Sequence, residues 1–366
     1  MEKRSLIISG GIIVIIFLMI GIISLIFYSP RAGLSPGEEN PAECRLVGGG
    51  EGDINIVFFS TLKQAEEYKD FFLSIFPFNE TKENFNFYYI KDYQPECEIY
   101  KEQALLCYNK EIIKKASSCP NDFIVVIKEE EDNIRSSAYM NVMSLNEKHP
   151  LSVFIHEFGH VFANLAEEYV PANLPAGAKN CVADCEKFEG LEEGCFEGCS
   201  KAEYYRSINS GVMRTLSSEE YGSFNENLIL NRINKNKNKI TGYAIKEENC
   251  GEKYYLIEGA YLNGEIKILE KSIESGCVDG KGAGDFSYKI ILKDDSVIEG
   301  AEFNPSLIFT DSPGEEEING EVYESTKEFY LKLPLIENAK SLEIIKKEES
   351  IKEINLEDIG ARPCKN

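Results

Sequence analysis

Apolar and polar residues follow two different rhythms along the chain. Between residues 53 and 242, short apolar runs alternate with stretches of helical spacing. Residues 54–59 read as a buried strand, 62–75 as a helix with Leu62, Ala65, Phe72 and Ile75 on one side, and 85–90 as a second strand. Residues 102–116 read as a helix and 123–127 as a third strand. This β-α-β-α-β order predicts an α/β layer with a mainly parallel sheet. A weaker strand at the edge (138–145), a long helix (150–165) and a further helix (218–233) follow. From residue 243 onward the helical spacing stops. Short β-rich runs at 254–257, 265–269, 286–292, 306–310, 328–333 and 342–346, separated by turn residues, predict a C-terminal sandwich-like domain over 243–366.

The N-terminus has a third pattern. Residues 6–28 carry no charged side chain, and about 20 apolar residues suffice to span a bilayer as a helix. Lys3 and Arg4 precede this run, so the positive-inside rule places everything behind it outside the cytoplasm. The expectation is a single-pass transmembrane signal anchor (1–28), with secretion after signal cleavage as the alternative. Residues 29–52 contain Ser35-Pro36-Gly37, Asn40-Pro41 and Gly48-Gly49-Gly50 and read as a flexible tether.

Charge narrows the classes of partner. With 39 Lys and Arg against 62 Asp and Glu, the net charge is -23, which excludes the cationic footprint of a nucleic-acid binder. All 11 cysteines lie after the apolar run, where an oxidising exterior permits disulfides. Cys181, Cys185, Cys195 and Cys199 form C-x3-C-x9-C-x3-C. Two short helices cross-linked as a hairpin would pair 181 with 199 and 185 with 195; other pairings, or a structural zinc site of four thiolates, are the rivals. Cys250 and Cys277 are candidates to staple the C-terminal domain.

The chemistry concentrates in His156-Glu157-Phe158-Gly159-His160, an H-E-x-x-H on the long helix. Residues four apart share a helix face, so both imidazoles can address one metal ion. Glu157 stands beside them as a general base able to take a proton from an activated water. Phe154, Phe158, Val161, Phe162 and Leu165 supply an apolar stripe on the other side. The chain has only three His, and His149 lies before the helix, so the third ligand must be a carboxylate, Glu167 or Glu168. Glu167 is seven residues beyond His160, about 10 Å along a straight helix, so the helix has to break between them; Asn164, which tolerates a left-handed backbone, is the turning point. One catalytic Zn2+ is the expected cofactor.

Residues 156–169, H-E-F-G-H-V-F-A-N-L-A-E-E-Y, resemble the signature of the IgA-specific metalloendopeptidase family, H-E-F-G-H-x-F-x-x-L-x-D-E-Y. The resemblance implies a metzincin-like zinc peptidase domain over 53–242, with His156 and His160 as ligands, Glu157 as general base and Glu167 where the family has Asp. Gly211-Val212-Met213-Arg214 resembles the Met-turn of such peptidases, in which a Met packs beneath the zinc. The functional expectation is a membrane-anchored zinc metalloendopeptidase acting on protein or peptide substrates outside the cytoplasm. The alternative is a cell-surface binding or scaffold protein that keeps a peptidase fold without its activity.

Overall fold

The computed structural model describes residues 43–49, 51–91, 93–191, 194–238, 253–278, 282–314 and 316–359. In chain order, β1 (Glu43–Gly48) and β2 (Ile54–Phe59) lead into helix α1 (Leu62–Phe72) and β3 (Phe85–Lys91). A small hairpin follows, β4 (Glu98–Tyr100) with β5 (Ala104–Leu106), then α2 (Lys110–Ala116), β6 (Phe123–Lys128), β7 (Ser136–Tyr139), β8 (Val142–Asn146) and α3 (Ser152–Ala163). Next come the hairpin β9 (Phe196–Cys199) and β10 (Lys201–Arg206), and α4 (Ser223–Asn238). The remainder is strand: β11 (Lys253–Leu262), β12 (Glu265–Ser275), β13 (Phe286–Leu292), β14 (Val297–Phe303), β15 (Leu307–Ser312), β16 (Asn319–Glu324), β17 (Glu328–Pro334), β18 (Ala339–Lys346) and β19 (Glu349–Asn355).

The main sheet has eight strands in the order β1-β3-β2-β6-β8-β7-β15-β16. Its centre, β3-β2-β6-β8, is parallel, and its continuous apolar strands are buried on both faces as parallel strands require. Both flanks are antiparallel: β1 on β3, β7 on β8, β15 on β7 and β16 on β15. One face packs on α1, α3 and α4 through Phe58, Phe87, Phe72, Phe154, Phe158 and Ile229. The opposite face packs Val57, Ile124 and Val126 against Ile112 and Ile113 of α2 and Tyr254 and Leu256 of β11. The three-stranded sheet β12-β11-β17 and the four-stranded sheet β14-β13-β18-β19 share a third core, with Ile257, Phe329 and Leu331 facing Tyr288, Leu342 and Ile344.

This architecture corrects the expected fold class. The described chain is predominantly strand, divided among one mixed sheet, two smaller sheets and two hairpins, and is not a mainly parallel α/β domain followed by one sandwich. Three local reasons account for the difference. Ala104–Leu106, expected inside a helix, is fully buried and pairs with Glu98–Tyr100 under the Cys97–Cys107 disulfide; the helix starts only where the Asn109 side chain accepts from Ile112 N at 2.9 Å. Residues 138–145 fall in a hairpin that turns at Met140, which has a positive φ, so they are not a single edge strand. Residues 306–310, expected in the sandwich, belong mainly to β15 and extend the main sheet. Residues 43–48, inside the stretch read as a tether, form β1, held by Cys44–Cys119.

The expected single-pass membrane placement is also corrected. Among the described residues no helix is long and apolar enough to cross a membrane, and the run 6–28 lies outside the described residues.

Candidate metal centre

Helix α3 runs through the core between the main sheet and α4, and every residue from Ser152 to Phe162 is buried. Phe154 and Phe158 meet Phe72 at ring-centroid distances of 5.3 and 5.1 Å, which fixes the rotation of the helix and turns His156 and His160 toward the opposite flank. The helix ends at Asn164, whose φ of 52° and ψ of 40° are left-handed. Leu165 N donates to Gly159 O at 3.2 Å, and the chain doubles back beneath the last turn. This reversal removes the separation a straight helix would impose and returns Glu167 to the imidazoles.

Four side chains converge. Glu167 Oε1 lies 3.0 Å from His160 Nε2, and Glu167 Oε2 lies 3.6 Å from His156 Nε2. The two Nε2 atoms are 3.1 Å apart, and Asp311 Oδ2, from β15, is 3.4 Å from His156 Nε2. One ligand atom from each of the four residues lies within 4.8 Å of the others, close enough to surround one ion. His156, Glu157, Glu167 and Asp311 are 0 % exposed and His160 3 %. The cluster can hold a metal ion.

Hydrogen bonds outside the cluster orient its members. His156 Nδ1 is 2.9 Å from Val212 O and His160 Nδ1 is 2.7 Å from Leu165 O. A carbonyl only accepts, so both Nδ1 atoms carry their proton and both Nε2 atoms face inward. The oxygens of Glu167 and Asp311 Oδ2 have no hydrogen-bond partner, although burying an unpaired carboxylate is costly. Burial would lower the His156 pKa, but Glu167 and Asp311 outweigh it and raise it well above the ordinary value. Burial would likewise raise Glu167, yet His160 and His156 hold it down to about 2. These converging ligand atoms and their negative charge form a set that could hold a cation.

Glu157 is different. It is buried next to His156, it is outside the group whose ligand atoms converge, and neither of its oxygens has a partner. Burial first, then the Asp311 charge, raises its pKa well above the ordinary value.

Glu168 points elsewhere. Its Oε1 accepts from Asn180 Nδ2 at 3.1 Å and from Asn225 Nδ2 at 2.8 Å, which ties the return segment to α4. Of the two expected carboxylates, the structure brings Glu167 to the imidazoles and turns Glu168 away. Burial lifts Glu168 from 4.5 to about 7, against the two amide bonds that lower it. A carboxyl raised on folding favours the native state fully below its unfolded value, and that contribution is lost as pH rises through the folded value, here between about 4.5 and 7. Gln can accept the same two bonds. Glu168→Gln is therefore expected to leave metal affinity within a few-fold and to flatten the fall in stability over that window by roughly 3 kcal/mol, read from denaturant midpoints at pH 5 and pH 8.

Met213 is fully buried, and its sulfur lies 2.9 Å from where a Cβ on Gly159 would stand, so only a glycine lets the helix approach it this closely. Glu168 N donates to Met213 O at 2.9 Å, which links this turn to the return segment. His149 is not in the cluster; its Nδ1 is 3.0 Å from Ser136 Oγ.

The cysteine-rich segment braces Glu167 from behind. Cys181 is bonded to Cys199 and Cys185 to Cys195, so these sulfurs are not thiolate ligands. The segment is a single 3-10 turn (Cys185–Phe188) followed by β9, not two helices. Asn180 clasps Ala166 in both directions, accepting from its N at 2.7 Å and donating to its O at 2.9 Å, and Ser200 Oγ donates to Glu167 O at 2.8 Å. Cys277 is disulfide-bonded, and Cys250 lies outside the described residues. Losing a group that orients a ligand typically costs 10–100-fold in metal affinity. Asn180→Ala is expected to fall in the lower part of that range, about tenfold, by competition with a chromophoric chelator.

Asp311 escapes the sequence reading because no motif surrounds it and no His lies near it in the chain. Its one mark is an acid at the end of the apolar run Leu307-Ile308-Phe309, in a strand where the alternating polar face is missing. No family model and no curated protein matches the chain.

Proposed function

We propose that this protein is a zinc-dependent endopeptidase, related in its site to the IgA-specific metalloendopeptidase family that residues 156–169 resemble. The observation that carries the reading is Glu157. A metal site that only stabilises a fold gains nothing from a fifth buried side chain that is not in the ligand group and has both oxygens unpartnered. A hydrolase does gain from one, because a carboxylate free of ligation can move protons.

His156, His160 and Glu167 are the residues that would hold the ion, each oriented by a backbone or return-segment contact. Zinc there would polarise a substrate carbonyl and bring the pKa of water to about 7. Glu157 accepts a proton from the attacking water and delivers it to the leaving amine nitrogen. The disulfides Cys44–Cys119, Cys97–Cys107, Cys181–Cys199 and Cys185–Cys195 fit an oxidising compartment.

A second reading has its own observation. Asp311 supplies a fourth protein ligand and the cluster is sealed from solvent, as in structural zinc sites, which are closed. That version is the non-catalytic scaffold. Metal analysis and a peptide-library digest of the full chain, unmodified and with Asp311→Asn, separate the two. The peptidase reading expects one zinc per chain and cleavage in at least the variant. One zinc per chain with no cleavage in either protein would sink it in favour of the scaffold.

A further inference from the structure

Strand β15 is the outer neighbour of β7, with Phe309 opposite Ala138, Thr310 opposite Ser137 and Asp311 opposite Ser136. Without β15, β7 would be the edge of the main sheet directly beside the cluster, presenting unpaired backbone groups to any extended chain. β15 does more than cover that edge. The Phe309 ring stacks on the His160 imidazole at 4.0 Å and 14°. Asp311 Oδ2 enters the cluster, and Asp311 Oδ1 takes the hydroxyl of Tyr169 at 3.2 Å. Gly320, opposite Asp311 on β16, makes the space: a Cβ there would stand 2.1 Å from Asp311 Oδ1 and 2.4 Å from Tyr169 Oη.

Asp311 would thus take the fourth place on an ion held by His156, His160 and Glu167, the place a hydrolytic site must leave open to water and substrate. A fully buried Glu157 cannot serve an external peptide while that position is occupied. We propose that β15 is an internal blocking strand, lying on β7 in the place of an extended peptide substrate with Asp311 capping the metal position, so that the protein as folded is latent and opens when β15 is displaced. This rests on the peptidase reading above. The partner that displaces β15 is an extended polypeptide pairing with the β7 edge, which supplies the same backbone hydrogen bonds without the carboxylate.

The test uses the full chain loaded with cobalt(II) and acetohydroxamate as a small metal-directed probe. The two variants are Asp311→Asn, which weakens the cap at its ligand atom, and Gly320→Ala, which crowds Asp311 out and leaves every ligand intact. A site closed most of the time weakens the apparent affinity of an external ligand in proportion to its closed population. The expected result is that cobalt stays bound in all three proteins and the unmodified spectrum barely responds. Both variants should shift with the probe at least about tenfold more tightly and show a matching rise in peptide cleavage. An unmodified spectrum that responds as readily as the variants' overturns the proposal. So does loss of cobalt from both variants, which would make Asp311 an obligatory ligand of a closed site. Variant spectra that open without any peptide being cut support the blocked position and remove the peptidase reading instead.

Discussion

Glu157→Gln should retain zinc and the fold while peptide hydrolysis falls by about 10²–10⁴, the range a general base contributes, or further because one residue acts first as base and then as acid. The amide is nearly isosteric and cannot accept the proton. The ligand atoms of His156, His160, Glu167 and Asp311 converge without Glu157, so removing its charge leaves the coordination set whole. The apo protein should not suffer either, since neither carboxylate oxygen makes a hydrogen bond that the change would break. The comparison is best made twice, in the unmodified chain and with Asp311→Asn, so that a low starting rate does not hide the loss. Zinc content by emission spectroscopy and kcat/KM on a fluorogenic peptide give the two readouts. A Glu157→Gln protein that cleaves within a few-fold of its parent would remove the hydrolytic role assigned to this side chain.

How much of this site can be read from the sequence depends on the range of the interaction. The spacing of His156 and His160, the left-handed bend at Asn164 and the return of a carboxylate are local matters, settled within residues 156–169. Helical periodicity and backbone preference act at that range. Choosing between Glu167 and Glu168 already needs the fold, because Asn180 and Asn225, from two other segments, decide which carboxylate turns away. Asp311 needs more still. Its place is set by the register of β15 on β7, a pairing that joins Asp311 to Ser136 across the chain. Residues 307–312 are almost all buried, so they lack the alternation that would mark one face as core and the other as solvent. A strand buried on both faces fits a main sheet or a sandwich equally well on sequence alone. The same ambiguity explains Ala104–Leu106: a short apolar run carries no period long enough to separate helix from strand.

His156→Ala and His160→Ala should each abolish the stabilisation that zinc gives. A ligand that binds only the native state at about 1,000 times its dissociation constant adds about 4 kcal/mol, worth roughly 5 °C in Tm for a chain of this size. The unmodified protein should therefore gain on the order of 5 °C when zinc is added after chelation, and either alanine variant should gain almost none, because the remaining ligands hold the ion poorly. The variants should also start lower. His160 Nε2 is 3.0 Å from Glu167 Oε1, and deleting the imidazole leaves that buried carboxylate with only the more distant His156 Nε2, at 3.6 Å, a change that costs about 3–5 kcal/mol for a broken buried pair. Glu167→Gln in the His160→Ala background removes the stranded charge. It should restore part of the metal-free stability while leaving the zinc response absent. That pattern separates a lost ligand from a disrupted fold: one predicts recovery of baseline Tm without recovery of zinc dependence, the other predicts that neither returns. A full zinc-induced shift persisting in His156→Ala and in His160→Ala would mean that the ion sits elsewhere, and the cluster beneath β15 would lose its assignment as the metal centre.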